Sequence, residues 1–160
     1  MKTDVVKLVI FRIGEDLFAA EVLAVDRVLR YAQPKPVPDV PRWIEGVIEH
    51  REHVIPVVDL RRRIERPNLA ISASTRILVL NTSDGYVGAI ADAVVEVAVV
   101  PATAMSAPPP LFKGLAADAV RGIAKVHDQL VVVLDVDRVL TRADRVVLDE
   151  HAAAAAGDRD

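Results

Sequence analysis

Residues 49–53 read Glu-His-Arg-Glu-His, the chain's one tempting cluster of chemistry-bearing side chains. Imidazoles at His50 and His53, with carboxylates at Glu49, Glu52 and Asp59, are the donor types that hold zinc or move protons. The spacing argues against both uses. A zinc site is usually built from ligands fixed on one face, as a helical pair four residues apart provides. In an extended strand, residues three apart point to opposite faces, so only a tight turn would bring the two rings together. A solvated turn is the simpler reading, and no metal is expected.

Other candidates reduce in the same way. Arg61, Arg62, Arg63 and Arg66 form a cationic run without interleaved aromatics, which reads as a solvated face after a strand. Asp59 and Asp135 sit at equivalent places after apolar strands, and each is expected to cap the following segment by accepting from backbone N–H groups. Asp92 and Glu96 stand as isolated acids on an apolar strand and are expected to edge a surface. There is no P-loop, no dinucleotide glycine pattern and no nucleophile elbow. Nothing assembles a nucleophile, a base and an oxyanion site, so the chain is not expected to be an enzyme or to hold a cofactor.

The elements around these residues come in two copies. Residues 46–64 read GVIEHREHVIPVVDLRRRI, and residues 122–140 read GIAKVHDQLVVVLDVDRVL. Gly46 falls on Gly122, Val54 on Leu130, Val57 on Val133 and Asp59 on Asp135. Each copy is a glycine, a short strand, a polar turn, an apolar strand and an aspartate. Upstream, Leu8-Val9-Ile10-Phe11 falls on Ile77-Leu78-Val79-Leu80, and Val25 and Val28 fall on Val94 and Val97. Both halves therefore run strand, turn, strand, valine-rich strand, proline-containing linker and glycine-led pair. Strands are expected at 8–13, 17–22, 25–29, 47–50, 54–58, 76–81, 86–90 and 92–99. The linker around Pro34, Pro36, Pro38 and Pro41 is expected to run extended over the surface without donating to a sheet. Apolar residues at 136, 139, 140, 143, 146 and 147 have helical spacing and predict a C-terminal helix over 136–148. Short strands with Gly and Pro punctuation, given twice, predict two small antiparallel barrels packed together with a groove at the seam. Residues 1–150 read as a single domain of two barrel subdomains, roughly the first and second halves and intertwined at the termini. Residues 151–160 read as a frayed tail.

Composition excludes several classes. The chain has 160 residues, enough for a sizeable core without staples. It has no cysteine, which suits a reducing cytosol. A net charge of −3 with 27% charged residues gives no nucleic-acid footprint. Hydrophobic residues reach 52%, yet no apolar run approaches the ~18 residues of a membrane span. The first residues, MKTDVVKLVIF, read as a strand rather than a signal peptide.

With these segments in place, the chain resembles the CheW-like family, the coupling proteins of bacterial chemotaxis. That family shows a Gly-Val-Ile-Asn-Leu-Arg-Gly stretch, an Ile-Pro-Val strand and an Asp-Leu-Arg exit. The counterparts here are GVIEHRE from Gly46, VIPVV from Val54 and DLR from Asp59. The family's Val-Asp-x-Val-x-Glu-Val pattern is matched by IADAVVEV from Ile90, and its closing strand pair by GIAKVHDQLVVVLD. The resemblance spans roughly residues 8–140. It implies a mainly β fold of two packed five-stranded SH3-like barrels. It also implies a cytoplasmic, non-enzymatic scaffold that bridges the tip of methyl-accepting chemoreceptors to the regulatory domain of a CheA-type histidine kinase within receptor arrays. By position, it places Val25, Gly46, Arg51 and Val94 in the receptor-binding groove. It carries over no kinase-binding residues.

Departures from the family pattern are concentrated in one place. The turn Asn-Leu-Arg-Gly is Glu49-His50-Arg51-Glu52 here, and a glutamate in a glycine's left-handed conformation would cost about 1 kcal/mol or more. A different turn shape is therefore expected. The family's first Val-x-Glu-Val is Val25-Asp26-Arg27-Val28, so an arginine replaces the glutamate that can pair with the turn arginine. Arg27 and Arg51 would repel unless Glu49 or Glu52 answers Arg27. Two other readings stay open. One is a diverged paralogue of a non-flagellar motility pathway that has altered or lost a partner. The other is a small-molecule or metal-binding barrel using the seam and the His50/His53 turn.

Overall fold

The computed structural model describes residues 4–60, 70–107 and 119–139. The strands are β1 (Val5–Ile13), β2 (Asp16–Glu21), β3 (Val25–Arg30), β4 (Ile44–His50), β5 (His53–Asp59), β6 (Arg76–Thr82), β7 (Gly85–Ala91), β8 (Ala93–Pro101), β9 (Met105–Ser106), β10 (Val120–Val126) and β11 (Gln129–Leu134). The β-branched and aliphatic runs read from the sequence all fall on strands. The predicted C-terminal helix begins as a single 3-10 turn at Val136–Arg138. The rest of that helix, the arginine run and the tail lie outside the described residues. Among the described residues, no helix is long and apolar enough to cross a membrane.

Two sheets form, in the orders β8-β1-β2-β11-β10-β9 and β3-β6-β7-β5-β4. Each sheet wraps a core of its own, giving two barrels, but each includes one parallel pair, β2 with β11 and β5 with β7, where wholly antiparallel barrels are expected from the sequence. The two halves of the repeat exchange their leading hairpins. The hairpin β1–β2 of the first copy pairs with β8 and β11 of the second. The hairpin β6–β7 of the second copy pairs with β3 and β5 of the first. Each barrel therefore takes its hairpin from one copy and its further strands from the other, four in the first sheet and three in the second.

Alternation along the strands sends side chains into three cores. Leu8, Ile10, Ala19, Val131 and Val133 fill the first barrel, and Val57, Ile77 and Ile90 fill the second. The opposite faces of the same strands meet between the barrels. There Phe11, Ile13 and Phe18 pack with Val58, Leu78, Leu80, Val87 and Ala89. The Phe11 and Phe18 rings stack with centroids 6.3 Å apart. The barrels pack together as expected, through a close-packed core, because both present an apolar outer face there and burial of both is favoured. Its half-exposed margin includes Val22, Val25, Val94 and Val132.

The linkers contribute more than the sequence predicts. Lys35, between two prolines, donates to the Val47 carbonyl at 2.9 Å and accepts from the Val47 N–H at 2.9 Å. Prolines at 34 and 36 lack N–H groups, but the residue between them keeps its own. In the other copy the equivalent contact is the short strand β9 on β10. That strand makes the first sheet six-stranded rather than five-stranded.

This contact explains the repeated glycine. Gly46 and Gly122 both sit where the register shifts, at bulges in β4 and β10. A Cβ on Gly46 would lie 2.1 Å from the Lys35 carbonyl oxygen, and one on Gly122 would lie 2.7 Å from that of Ser106. Asp59 and Asp135 are likewise paired in role. Their N–H groups donate to the carbonyls of Trp43 and Ala119, at 2.6 and 2.7 Å. The Asp135 carboxylate also accepts from the Asp137 N–H at 3.2 Å, the expected cap. The segment Asp59 would cap lies outside the described residues.

Candidate partner-binding surface

The residues at 49–53 form the tip of the β4–β5 hairpin. His50 and His53 face each other across a two-residue turn made by Arg51 and Glu52. Their φ angles are +49° and +66°. Positive φ at both central residues matches the right-handed twist of the flanking strands. The different turn shape expected from the sequence is not found: Glu52 takes the left-handed conformation and bears its cost. The turn of the other copy does the same, with His127 at +49° and Asp128 at +61°.

The tight turn brings the two histidines onto one aromatic neighbour. Tyr86 of β7 meets the His50 ring edge-on at 5.4 Å between centroids and the His53 ring at 6.1 Å. His50 is buried rather than solvated, and its Nε2 lies 2.9 Å from an Asp26 carboxylate oxygen. Among the described residues, no group of three or more His, Asp or Glu side chains is arranged to hold a metal ion.

Asp26 is the acid that organises this corner, and it was not singled out from the sequence. The same Oδ2 that meets His50 lies 3.4 Å from Arg51 Nε. Arg51 is half-exposed, with 53% of its side chain open to solvent, while Asp26 retains 21%. Arg27, Glu49 and Glu52 are all exposed, and among the described residues no ion pair joins them. The charge contact at this corner instead joins Arg51 to Asp26, and Arg27, Glu49 and Glu52 stay outside it. A register shift between Val25 and Arg27 marks a bulge in β3 at this point. The bulge breaks the alternation that would otherwise turn adjacent residues to opposite faces. The available signal was that Asp26 is the only acid in β3 and neighbours the position where an acid is expected.

The pair also spans the open edges of its sheet. β3 is one edge, and the β4–β5 hairpin closes the other. In the first barrel, His127 Nε2 on the β10–β11 turn lies 3.1 Å from Glu96 of edge strand β8. Each barrel thus has a side-chain clasp between its hairpin tip and its edge strand. Glu96 is a clasp partner rather than an isolated acid. Asp92 also has a structural role, accepting from the Gly14 N–H at 2.7 Å.

The residues carried over by resemblance occupy different settings. Val25 pairs with Leu80 across β3–β6, and Val94 pairs with Phe11 across β1–β8. Both valines are half-buried on the shared core and so sit at its margin. Arg51 reaches the chain neighbour of Val25 through Asp26. Gly46 is buried beneath the Lys35 carbonyl, where it allows the linker to approach.

Residues 7–144 match the family model described as the CheW-like domain. "Chemotaxis protein CheW" of Bacillus subtilis is 30% identical over 139 residues, covering 85% of this chain and 87% of the relative. "Protein FrzA" of Myxococcus xanthus is 31% identical over 135 residues, covering 83% and 84%. Among solved structures, the scaffolding protein TtCheW from Thermoanaerobacter tengcongensis superposes with a TM-score of 0.81 at 28% identity, covering 87% of this chain and 94% of that one. The matched span takes in both barrels, both exchanged hairpins and both clasped turns, and the chain belongs to the CheW-like family of chemotaxis adaptor proteins.

Proposed function

We propose that the protein is a non-enzymatic cytoplasmic coupling scaffold. It joins the cytoplasmic tip of methyl-accepting chemoreceptors to the regulatory domain of a CheA-type histidine kinase within receptor arrays. The observation that carries this reading is the match of the CheW-like model to residues 7–144, with relatives named as chemotaxis proteins over most of their own length. The receptor site is assigned to the margin of the shared core at Val25 and Val94, with Arg51 at its rim and Gly46 fixing the linker beside it. An apolar margin flanked by a guanidinium suits one face of an amphipathic helix. Coupling works by mass action: two modest contacts, multiplied over a lattice, hold receptor and kinase together.

Calorimetry tests this with a receptor-tip fragment and with the kinase regulatory domain, added separately and then in sequence. The expected result is that both bind and neither displaces the other. Competition between the two would count against a bridge.

A second reading is favoured by the similarity to protein FrzA, at 31% identity. It makes the chain a diverged paralogue of a non-flagellar motility pathway with one usual partner altered or lost. The same titrations then show heat with only one component. The exposed cation at Arg27, where the family pattern has glutamate, is the place for altered receptor preference. Arg27→Glu is expected to shift selectivity between receptor tips in a pull-down. Unchanged selectivity would remove Arg27 from the account.

A further inference from the structure

We infer that the surface assigned to the receptor ends in a carboxylate-accepting pair of arginines, Arg30 of β3 and Arg76 of β6. This inference rests on the receptor-binding reading of the core margin at Val25. It adds the chemistry of the group that docks beyond that margin, an aspartate or glutamate on the receptor-tip helix.

The two arginines stand directly opposite each other across the β3–β6 ladder. Among the described strand pairs, theirs is the only one that sets two Lys, Arg, Asp or Glu residues against each other, and both carry the same sign. Opposed side chains in an antiparallel pair have Cβ atoms about 4.5–5.5 Å apart, so like charges there work against folding. Arg76 is held in place, since its Nη1 donates to the carbonyls of Ala73 at 2.8 Å and Thr75 at 2.9 Å. Arg30 is exposed. Among the described residues, neither arginine has an acidic partner. Two cations that repel in the free protein are relieved by a carboxylate set between them, and a guanidinium is shaped to take one.

Register ties the pair to the core margin. Partners across an antiparallel pair share a face, and so do residues two apart along a strand. Arg76 therefore lies on the face of β6 that carries Leu78 and Leu80 into the shared core. Opposite them on β3 run Val25, Val28 and Arg30, the bulge after Val25 keeping all three in one row. Val25 is half-buried on the core, Val28 is 40% exposed, and Arg30 ends the row. The other barrel gives an internal comparison. There the same places are held by Val94, Val97 and Val99 of β8, against Phe11, Val9 and Lys7 of β1. Lys7 faces a valine, and Val97 and Val99 are exposed apolar side chains. The surface is thus apolar toward β8 and doubly cationic where β3 meets β6. That asymmetry fits a helix that carries its acid at one end of the contact and apolar residues at the other.

The test sets the charge at position 30 against binding and stability in one series: wild type, Arg30→Gln and Arg30→Glu. Binding to a receptor-tip fragment is expected to fall about fivefold or more for Arg30→Gln and further for Arg30→Glu. Urea midpoints of the free protein are expected in the reverse order, wild type lowest and Arg30→Glu highest, because the glutamate answers Arg76. Changing the acids of the fragment to lysine, one at a time, is expected to find a variant that restores binding to Arg30→Glu. Binding indifferent to the charge at position 30, restoration by none of the lysine variants, or an Arg30→Glu midpoint no higher than that of Arg30→Gln would overturn the proposal. So would an Arg30→Glu loss that falls on the kinase regulatory domain instead of the fragment. A folded wild type that binds no fragment removes the receptor reading and this inference together. Binding that is lost in Arg51→Ala but kept in Arg30→Glu leaves the receptor reading standing and removes only the inference.

Discussion

Gly46 and Glu52 show two ways in which single positions answer to backbone geometry. At Gly46 there is no space: a methyl group would lie 2.1 Å from a carbonyl oxygen, at φ +150°. Gly46→Ala should destabilise the fold by about 2 kcal/mol or more, and Gly122→Ala by less, since its φ is unstrained and its contact longer. Urea unfolding of both variants checks the order. At Glu52 there is space but strain. A non-glycine residue at φ +66° costs about 1–2 kcal/mol, and glycine in the unfolded chain costs about 0.4–1 kcal/mol in return. Glu52→Gly should therefore stabilise by about 0.5–1 kcal/mol, read as a higher urea midpoint with unchanged slope. The glycines were legible because a repeat exposes what both copies need. Asp26 was not, because strand alternation assigns it the wrong face and only the bulge restores it.

At the level of elements, each strand is two-faced, and the account rests on where the second face goes. Leu8 and Ile10 of β1 enter their barrel, while Phe11 and Ile13 enter the shared core. Phe11→Ala should cost about 3–5 kcal/mol through the lost area and the cavity. Because Phe11 touches strands of both barrels, that loss should appear in both at once. Hydrogen exchange should show β6–β7 amides losing protection together with β1–β2 amides, whereas loss confined to β1 and β2 would mean that the shared core is not a joint element. Strand positions were readable from periodicity and turn residues. Alternation says that a second face is apolar but not what covers it, and here the two barrels cover one another. The linker bridge at Lys35 is not legible from proline density, which describes the whole segment, whereas one N–H among prolines is enough to pair with Val47.

On the scale of the whole molecule, the exchange of hairpins ties the copies into one folding unit. Neither half holds a complete barrel: β1–β5 lacks β6–β7, and the second copy lacks β1–β2. Cutting the chain in the exposed loop before β6 should give fragments without native β-sheet signal when separate, and a native spectrum when mixed. A first fragment that folds alone would show that the exchange is dispensable. The duplication itself was plain in the sequence. The exchange was not, because likeness between segments says which are equivalent and nothing about which pair.

The proposed coupling requires one face of this clasped two-barrel unit to bind a receptor while another holds a kinase. The most direct measurement retains the kinase regulatory domain on beads carrying a receptor-tip fragment, with and without the protein. Retention should depend on the wild-type chain and fall about fivefold or more for Arg51→Ala, with binding to the kinase domain in solution unchanged. No retention above the bead background, from a folded wild-type protein, would contradict the account.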